Sequence, residues 1–226
     1  MVDRKKVRVD SIPRKRFSTE AGIKVMSLTK SHEALSDKQV KNAVARMGDY
    51  RFATRNRAII SLGLYAGLRA CEIAAICWKD VLTADDAIGD ELRVRNLIAK
   101  GKHGGGLVAM NSKLKSVLNE LFAIAKQQDK TMMEIRNQTI IRSQNNRAMK
   151  TQSIVNLMFA HYRKCDIQAS SHTARKTFIT NTARLISTVG GSIHDIAALA
   201  RHSSIQTTQI YLSKNSDAQK KVVNMI

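Results

Sequence analysis

Residues 91–110 read ELRVRNLIAKGKHGGGLVAM. The first nine open with alternating polar and apolar side chains, Glu91 to Arg95, a two-residue period that predicts a strand over residues 91–99. LVAM, residues 107–110, predicts a second strand, and KGKHGGG between them is a glycine-rich hairpin carrying Lys100, Lys102 and His103. On either side the period changes to that of a helix. SDKQVKNAVARM opens with Ser36 and, three residues on, Gln39, the spacing of a capping box. TRNRAIISLGLYAG puts Ile59, Leu62 and Ala66 on one helical face and is punctuated by Gly67; LRACEIAAIC is a further helical piece. Downstream, Leu114, Val117, Leu118, Leu121 and Ala125 keep helical spacing, as do Ile154, Leu157, Met158 and Tyr162. Residues 172–187 and 192–200 are two more helices, the second capped by Ser192 and Asp195, with Ile193, Ile196, Ala197 and Ala200 turned inward. TIIR, residues 139–142, is one more short strand. The fold class expected is therefore mainly α with a small antiparallel β-sheet (α+β).

The chain has 226 residues, 43% of them hydrophobic, enough for one sizeable domain with a core of its own. Its formal net charge is +20. An excess of that size favours polyanionic partners, nucleic acid first and anionic membrane second. Nine Lys/Arg and three Asp/Glu fall within residues 1–30, so most of the excess lies on the folded part. Residues 1–34, with the only proline, read as a basic flexible arm in which Lys5, Lys6, Arg14, Lys15 and Arg16 are candidate DNA contacts. Order is expected over 35–212, followed by a tail, 213–226, that carries Val222, Val223 and Ile226. No apolar run reaches membrane-spanning length and MVDRKKVRVD has no signal-peptide apolar segment, so a cytoplasmic, DNA-associated protein with no membrane partner is expected. Cys71, Cys77 and Cys165 have no metal or disulfide spacing and read as buried free thiols.

No phosphate-binding glycine loop, dinucleotide fingerprint or Cys/His ligand set occurs, so neither a metal nor another cofactor is implied. What stands out is a set of cations, histidines and one late tyrosine. AGLRACE holds Arg69 and Glu72 three apart; SSHTARKTF holds His172 and Arg175 three apart, with Lys176 next; RHSSIQTTQIY holds Arg201, His202 and Tyr211. Singly, each has a structural explanation as an ion pair or a solvated helix face.

Together, in this order, they resemble the tyrosine recombinase (phage integrase) family. AGLRACEIAAICWKDV is similar to that family's first arginine box, HTARKTF to its H-x-x-R box, and RHSSIQTTQIY to its final L-G-H-S-S-x-x-T-T-x-x-Y box, His-to-Tyr spacing included. The resemblance covers about residues 35–212 and implies a tyrosine recombinase catalytic-domain fold. It also implies that Arg69, Lys100, His172, Arg175, His202 and Tyr211 are catalytic, with Glu72 as a supporting carboxylate.

The chemistry of those residue types fits such a reaction. A phosphodiester is anionic, and attack on it builds more charge on the nonbridging oxygens. Arg69 and Arg175 are suited to hold those oxygens by charge-assisted bonds that strengthen in the transition state. Tyr211, starting from a pKa of about 10, needs a cationic pocket or a base to become a nucleophile. The resemblance implies His172 as that base, His202 as a phosphate ligand and a hairpin lysine as the acid that protonates the leaving 5′-oxygen. A covalent 3′-phosphotyrosine stores the bond, so no ATP is required.

Three departures stand beside the match. The glycine before the last histidine is Arg201 here, read as a surface charge or an added phosphate contact. Lys100 lies one residue too far from LVAM, and Lys102 one too near, for the usual hairpin; Lys100 is preferred and Lys102 is the alternative. An N-terminal DNA-clamping domain of about a hundred residues, typical of the family, has only some 34 residues in its place, so the chain reads as a short member. The expected function is a site-specific DNA recombinase working on double-stranded DNA as a homotetramer on two duplexes. The tail either packs on its own core or docks on a neighbouring protomer, and an accessory DNA-bending protein is left open. The alternatives are a catalytically weak DNA-binding relative and a type IB topoisomerase. The target sequence and the direction of reaction are not written in the residues.

Overall fold

The computed structural model describes residues 33–99, 105–211 and 223–224. The basic arm residues Lys5, Lys6, Arg14, Lys15 and Arg16, the hairpin lysines Lys100 and Lys102, and most of the 213–226 tail lie outside the described residues.

Helices dominate. They are α1 (Asp37–Arg46), α2 (Ala53–Ala66), α3 (Ala70–Ala75), α4 (Ser112–Lys126), α5 (Met132–Asn137), α6 (Thr151–Lys164), α7 (Ser171–Leu185), α8 (Ile193–Ala200) and α9 (Ile205–Gln209). Their starts follow local chemistry. Ser36 and Gln39 form the expected capping box of α1, and Ser192 and Asp195 that of α8. Asn111 accepts from the Leu114 N–H at the head of α4. Each such cap satisfies helix N–H groups that have no intrahelical partner.

The helix α2 is the axis of the core. Ala58, Ile59, Ile60, Leu62, Leu64 and Ala66 are all buried, and α4 and α7 pack against it. Burial on every side replaces the single apolar face read from the sequence, because α2 is enclosed by neighbours rather than laid on a surface. Gly63 is required by the α2–α7 approach: a Cβ there would sit 2.8 Å from the Ala174 Cβ. Trp78 is buried against Phe122, ring centroids 4.9 Å apart.

The sheet is one antiparallel pair, β1 (Glu91–Val94) and β2 (Gly106–Ala109), with Leu92 opposite Val108. The strand predicted over residues 91–99 therefore ends early. Arg95 turns its side chain inward to Asp80 (Nε–Oδ1 2.9 Å) and to the Ala75 carbonyl (3.1 Å), while its own carbonyl accepts from the Ile98 and Ala99 N–H groups. A turn over residues 96–98 follows. Nor does TIIR form a strand: Cys77–Thr139 and Arg142–Ala148 are isolated bridges. Of the cysteines, Cys77 and Cys165 are buried as expected but Cys71 is only half-buried; all three are free.

Gly67 closes α2 in the left-handed region, φ 62°. A Cβ here would lie 2.5 Å from the Phe178 ring. Gly67→Ala is expected to lose about 2–4 kcal/mol, the sum of a left-handed non-glycine residue and an overpacked contact, and thermal or denaturant unfolding measures it. A loss below about 0.5 kcal/mol would mean that Phe178 yields freely.

Candidate active site

Four helix ends build the site. Arg69 is the residue before α3, with extended backbone (φ −77°, ψ 155°), so it projects from the helix mouth instead of sharing a helical face with Glu72. The two still meet. The Glu72 carboxylate accepts from the Arg69 backbone N–H at 2.8 Å and from Nη1 at 3.0 Å. Glu72 is fully buried, whereas the Arg69 side chain keeps 19% of its exposure. The pair is thus a buried carboxylate anchoring a cation that reaches the surface.

Arg175, on the first turns of α7, is buried. Its Nη1 donates to the Gly67 carbonyl at the end of α2 and its Nη2 to the Ala200 carbonyl at the end of α8. Helix C-termini leave carbonyls without intrahelical donors and carry partial negative charge, so two helix ends make a natural seat for a guanidinium. Burial first, then Arg69 and Arg201, lower its pKa to about 10, while Glu72 and Tyr211 pull it back up. It remains a cation at neutral pH, and the Tyr211 hydroxyl lies within its field.

His172 stands one turn before Arg175 and is exposed. Lys176 is half-buried on the same helix.

The stretch after α8 supplies the rest. His202 donates its backbone N–H to the Ala197 carbonyl (2.9 Å), and its Nδ1 pairs with the buried Thr208 hydroxyl (2.9 Å). Tyr211 follows α9, packs against the small cluster of Ile179, Ile196 and Ala200, and stacks on His202 with centroids 5.8 Å apart and planes 26° apart. Burial, then Arg175, Arg69 and Arg201, push the His202 pKa down to about 4. The imidazole is therefore neutral at pH 7. The Nδ1–Thr208 contact ties the ring tautomer to the hydroxyl: a ring proton on Nε2 goes with Thr208 as donor, one on Nδ1 with Thr208 as acceptor.

That shift has a consequence for stability. A histidine held neutral in the folded state, against an ordinary value of about 6.5, contributes stability that is complete above about pH 6.5. It is lost as pH falls through the window down to about 4, because the unfolded chain binds the proton first. Thermal unfolding at pH 7 and pH 5 should show a drop for the wild type that is smaller in His202→Gln. An equal drop in both would place the acid sensitivity elsewhere.

Arg201 corrects the sequence reading. It is not a surface charge: the side chain is 2% exposed, and Nη2 donates to Glu72 Oε2 at 2.8 Å. Its backbone is left-handed, φ 52°, where a helix stop ordinarily has glycine. The position in the chain flagged it, since glycine is the residue usual there, but its direction could not be read without Glu72. Thr208, which holds His202 Nδ1, is not marked by the sequence beyond its spacing of six from the histidine. The Trp and Asp of the first box are structural: Trp78 is core, and buried Asp80 accepts from the Cys77 N–H (2.8 Å) and pairs with Arg95.

Arg69, Arg175, His202 and Tyr211 thus converge, with Glu72 and Arg201 beneath them and His172 one turn away on α7. Among the described residues, no group of three His, Cys, Asp or Glu is placed to hold a metal ion, and no helix is long and apolar enough to cross a membrane.

Comparison with known proteins gives the same picture of the fold. The phage integrase family model matches residues 33–218. A TnP I resolvase of Bacillus thuringiensis is 26% identical over 174 residues, 76% of this chain and 54% of its own length. The chain thus spans about half the length of the curated relative it matches. Among solved structures, an XerA recombinase superposes with TM-score 0.67 at 23% identity, over 87% of this chain and 64% of its own. The Tn1549 transposon integrase in complex with a circular intermediate DNA gives 0.64 at 18% identity, over 88% and 67%. The XerH site-specific recombinase bound to difH substrate gives 0.65 at 14% identity, over 88% and 56%.

Proposed function

The chain belongs to the phage integrase family, and from that premise we propose that it is a site-specific recombinase that cuts and rejoins double-stranded DNA through Tyr211. The observation that carries this reading is the convergence of two arginines and a neutral histidine on the tyrosine, Arg175 being close enough to feel the Tyr211 hydroxyl.

In the first step the Tyr211 oxygen attacks phosphorus. The P–O(Tyr) bond forms, the P–O5′ bond breaks, and the 3′ end is left as a phosphotyrosine. The phenolic proton passes to His172. The departing 5′-oxygen takes a proton from a hairpin lysine, Lys100 or, as the alternative, Lys102. Arg69 and Arg175 donate to the nonbridging oxygens as charge grows there, and His202 adds its Nε2–H. Rejoining reverses each step onto another 5′-hydroxyl, so the bond energy is conserved and no ATP is consumed. Exchange between two duplexes needs four such centres, hence four copies of the chain on two duplexes. The net charge of +20 supports the DNA contact, with Lys5, Lys6, Arg14, Lys15, Arg16 and Lys176 as phosphate-contacting cations.

The test is covalent trapping on nicked or phosphorothiolate suicide duplexes drawn from DNA flanking the gene. A denaturation-resistant protein–DNA adduct is expected. Tight DNA binding with no adduct on any such duplex would favour a DNA-binding role without strand transfer. Recombinant products separate a recombinase from a topoisomerase.

A further inference from the structure

Arg201 costs the fold something at every level. It is a β-carbon residue at φ 52°, where glycine is free of strain. Its guanidinium is buried, and only Nη2 has a partner; Nε and Nη1 are buried with no acceptor among the described residues. A buried donor left unpaired is expensive, and a charged one more so. Features that destabilise a fold at a site of convergent side chains point from the outlier to a function.

The position says which function. Arg201 and Arg69 hold opposite oxygens of one carboxylate, Oε2 and Oε1 of Glu72. Without Arg201, Glu72 would answer Arg69 alone, and Arg175 would be the one surplus cation. With it, three buried or half-buried guanidiniums share a single negative charge, leaving two positive charges in excess. A phosphodiester carries one negative charge; the five-coordinate state reached on attack carries two. Fixed charge that matches the later state better than the earlier one accelerates the step between them.

We propose that Arg201 is a positioning residue of the phosphate site, which, by taking half of Glu72 from Arg69, sets the site's excess charge to that of the five-coordinate phosphorane. This deepens the recombinase reading and rests on it. Arg201 touches neither nucleophile nor phosphate; it acts through Glu72 and Arg69, and its aliphatic stem runs against Gly106 of β2, whose added Cβ would lie 3.6 Å away. Burial and the neighbouring Glu72 and Arg69 set its electrostatics, and its charge in turn helps hold the His202 pKa down.

The probe is orthovanadate, a tetrahedral phosphate analogue that becomes five-coordinate on taking a further oxygen ligand such as Tyr211 Oη, titrated into the DNA-free protein of wild type, Arg201→Gly and Arg201→Lys, with thermal unfolding of each. Arg201→Gly should bind vanadate about 10–100-fold more weakly, the effect of one partly screened charge a few ångströms off. The same variant should melt about 2–4 °C higher, since strain and unpaired donors are removed. Arg201→Lys should recover most of the vanadate affinity. On suicide DNA, the Arg201→Gly adduct should form more slowly while DNA affinity holds. Unchanged vanadate affinity in Arg201→Gly, a wild type that binds no vanadate, or a lower melting temperature in the glycine variant each overturns the proposal; the last would make Arg201 a structural tie. Arg201-dependent vanadate binding in a protein that forms no DNA adduct would instead sink the recombinase reading, leaving Arg201 as a positioning residue of an anion site without strand transfer.

Discussion

Tyr211→Phe should abolish the covalent protein–DNA adduct while leaving DNA binding and folding intact. The substitution removes one oxygen. The ring still packs on Ile179, Ile196 and Ala200 and still stacks on His202, so the melting temperature should stay within the range of a surface change, about ±0.5 kcal/mol. The loss of adduct should be complete, because the chain's other tyrosines are ill-suited to replace it. Tyr162 is fully buried and its hydroxyl is pushed far up by desolvation. Tyr65 is raised by burial too. The Tyr50 hydroxyl, also raised, is engaged with His161 Nδ1 at 3.1 Å. Tyr211 is the tyrosine that Arg175 feels. Denaturing gel electrophoresis after trapping on suicide DNA reads the result, with an electrophoretic mobility shift as the folding and binding control. An adduct that persists in Tyr211→Phe would place the nucleophile elsewhere and dismantle the mechanism at its centre.

How far the residues announce this site depends on how local each signal is. Helix caps are read easily because donor and acceptor lie three positions apart, as in Ser36 with Gln39 and Ser192 with Asp195. The short helix α5 carries the same signal in Thr131 and Glu134, set among other polar residues that mask it. The end of β1 is a different matter. Alternation reaches Arg95 and breaks at Asn96, and the strand stops sooner still, after Val94, because Arg95 is drawn to Asp80, fifteen residues away. Central burial of α2 is likewise a property of its neighbours, not of its own period.

The site divides in the same way. The order of Arg69, His172–Arg175, His202 and Tyr211 is legible because the boxes are contiguous and their spacings informative. The Glu72–Arg201 contact spans 129 positions and passes through a left-handed residue, so the sequence could mark Arg201 as unusual but not turn it inward. The resemblance marks Arg175 as a candidate phosphate ligand, yet its seat between Gly67 and Ala200 is invisible in the sequence, because backbone carbonyls have no letter there.

That seat makes Arg175→Lys the second large effect. A guanidinium has five N–H donors in a planar fork; here one goes to the Gly67 carbonyl and one to the Ala200 carbonyl, and the proposed mechanism assigns further donors to the oxyanion. Lysine keeps the charge but brings a single ammonium on a different stem, which cannot bridge two carbonyls on different helices and also face a phosphate. One buried helix-end carbonyl then loses its donor, at about 1–3 kcal/mol, which chemical denaturation measures. The rate of adduct formation in single turnover should fall about 10²–10³-fold, the scale of losing one preorganised oxyanion donor. DNA affinity, which depends on the sum of many phosphate contacts, should change far less. Arg175→Ala should be worse on both counts, since the cation and both carbonyl bonds vanish. The split between rate and affinity is the deciding feature. Were Arg175→Lys to bind and cleave like the wild type, charge alone would suffice and the forked seat would be only a packing device. Were binding and cleavage to fall together in proportion to stability, Arg175 would be a strut joining α2 to α8 and not a ligand of the reacting phosphate.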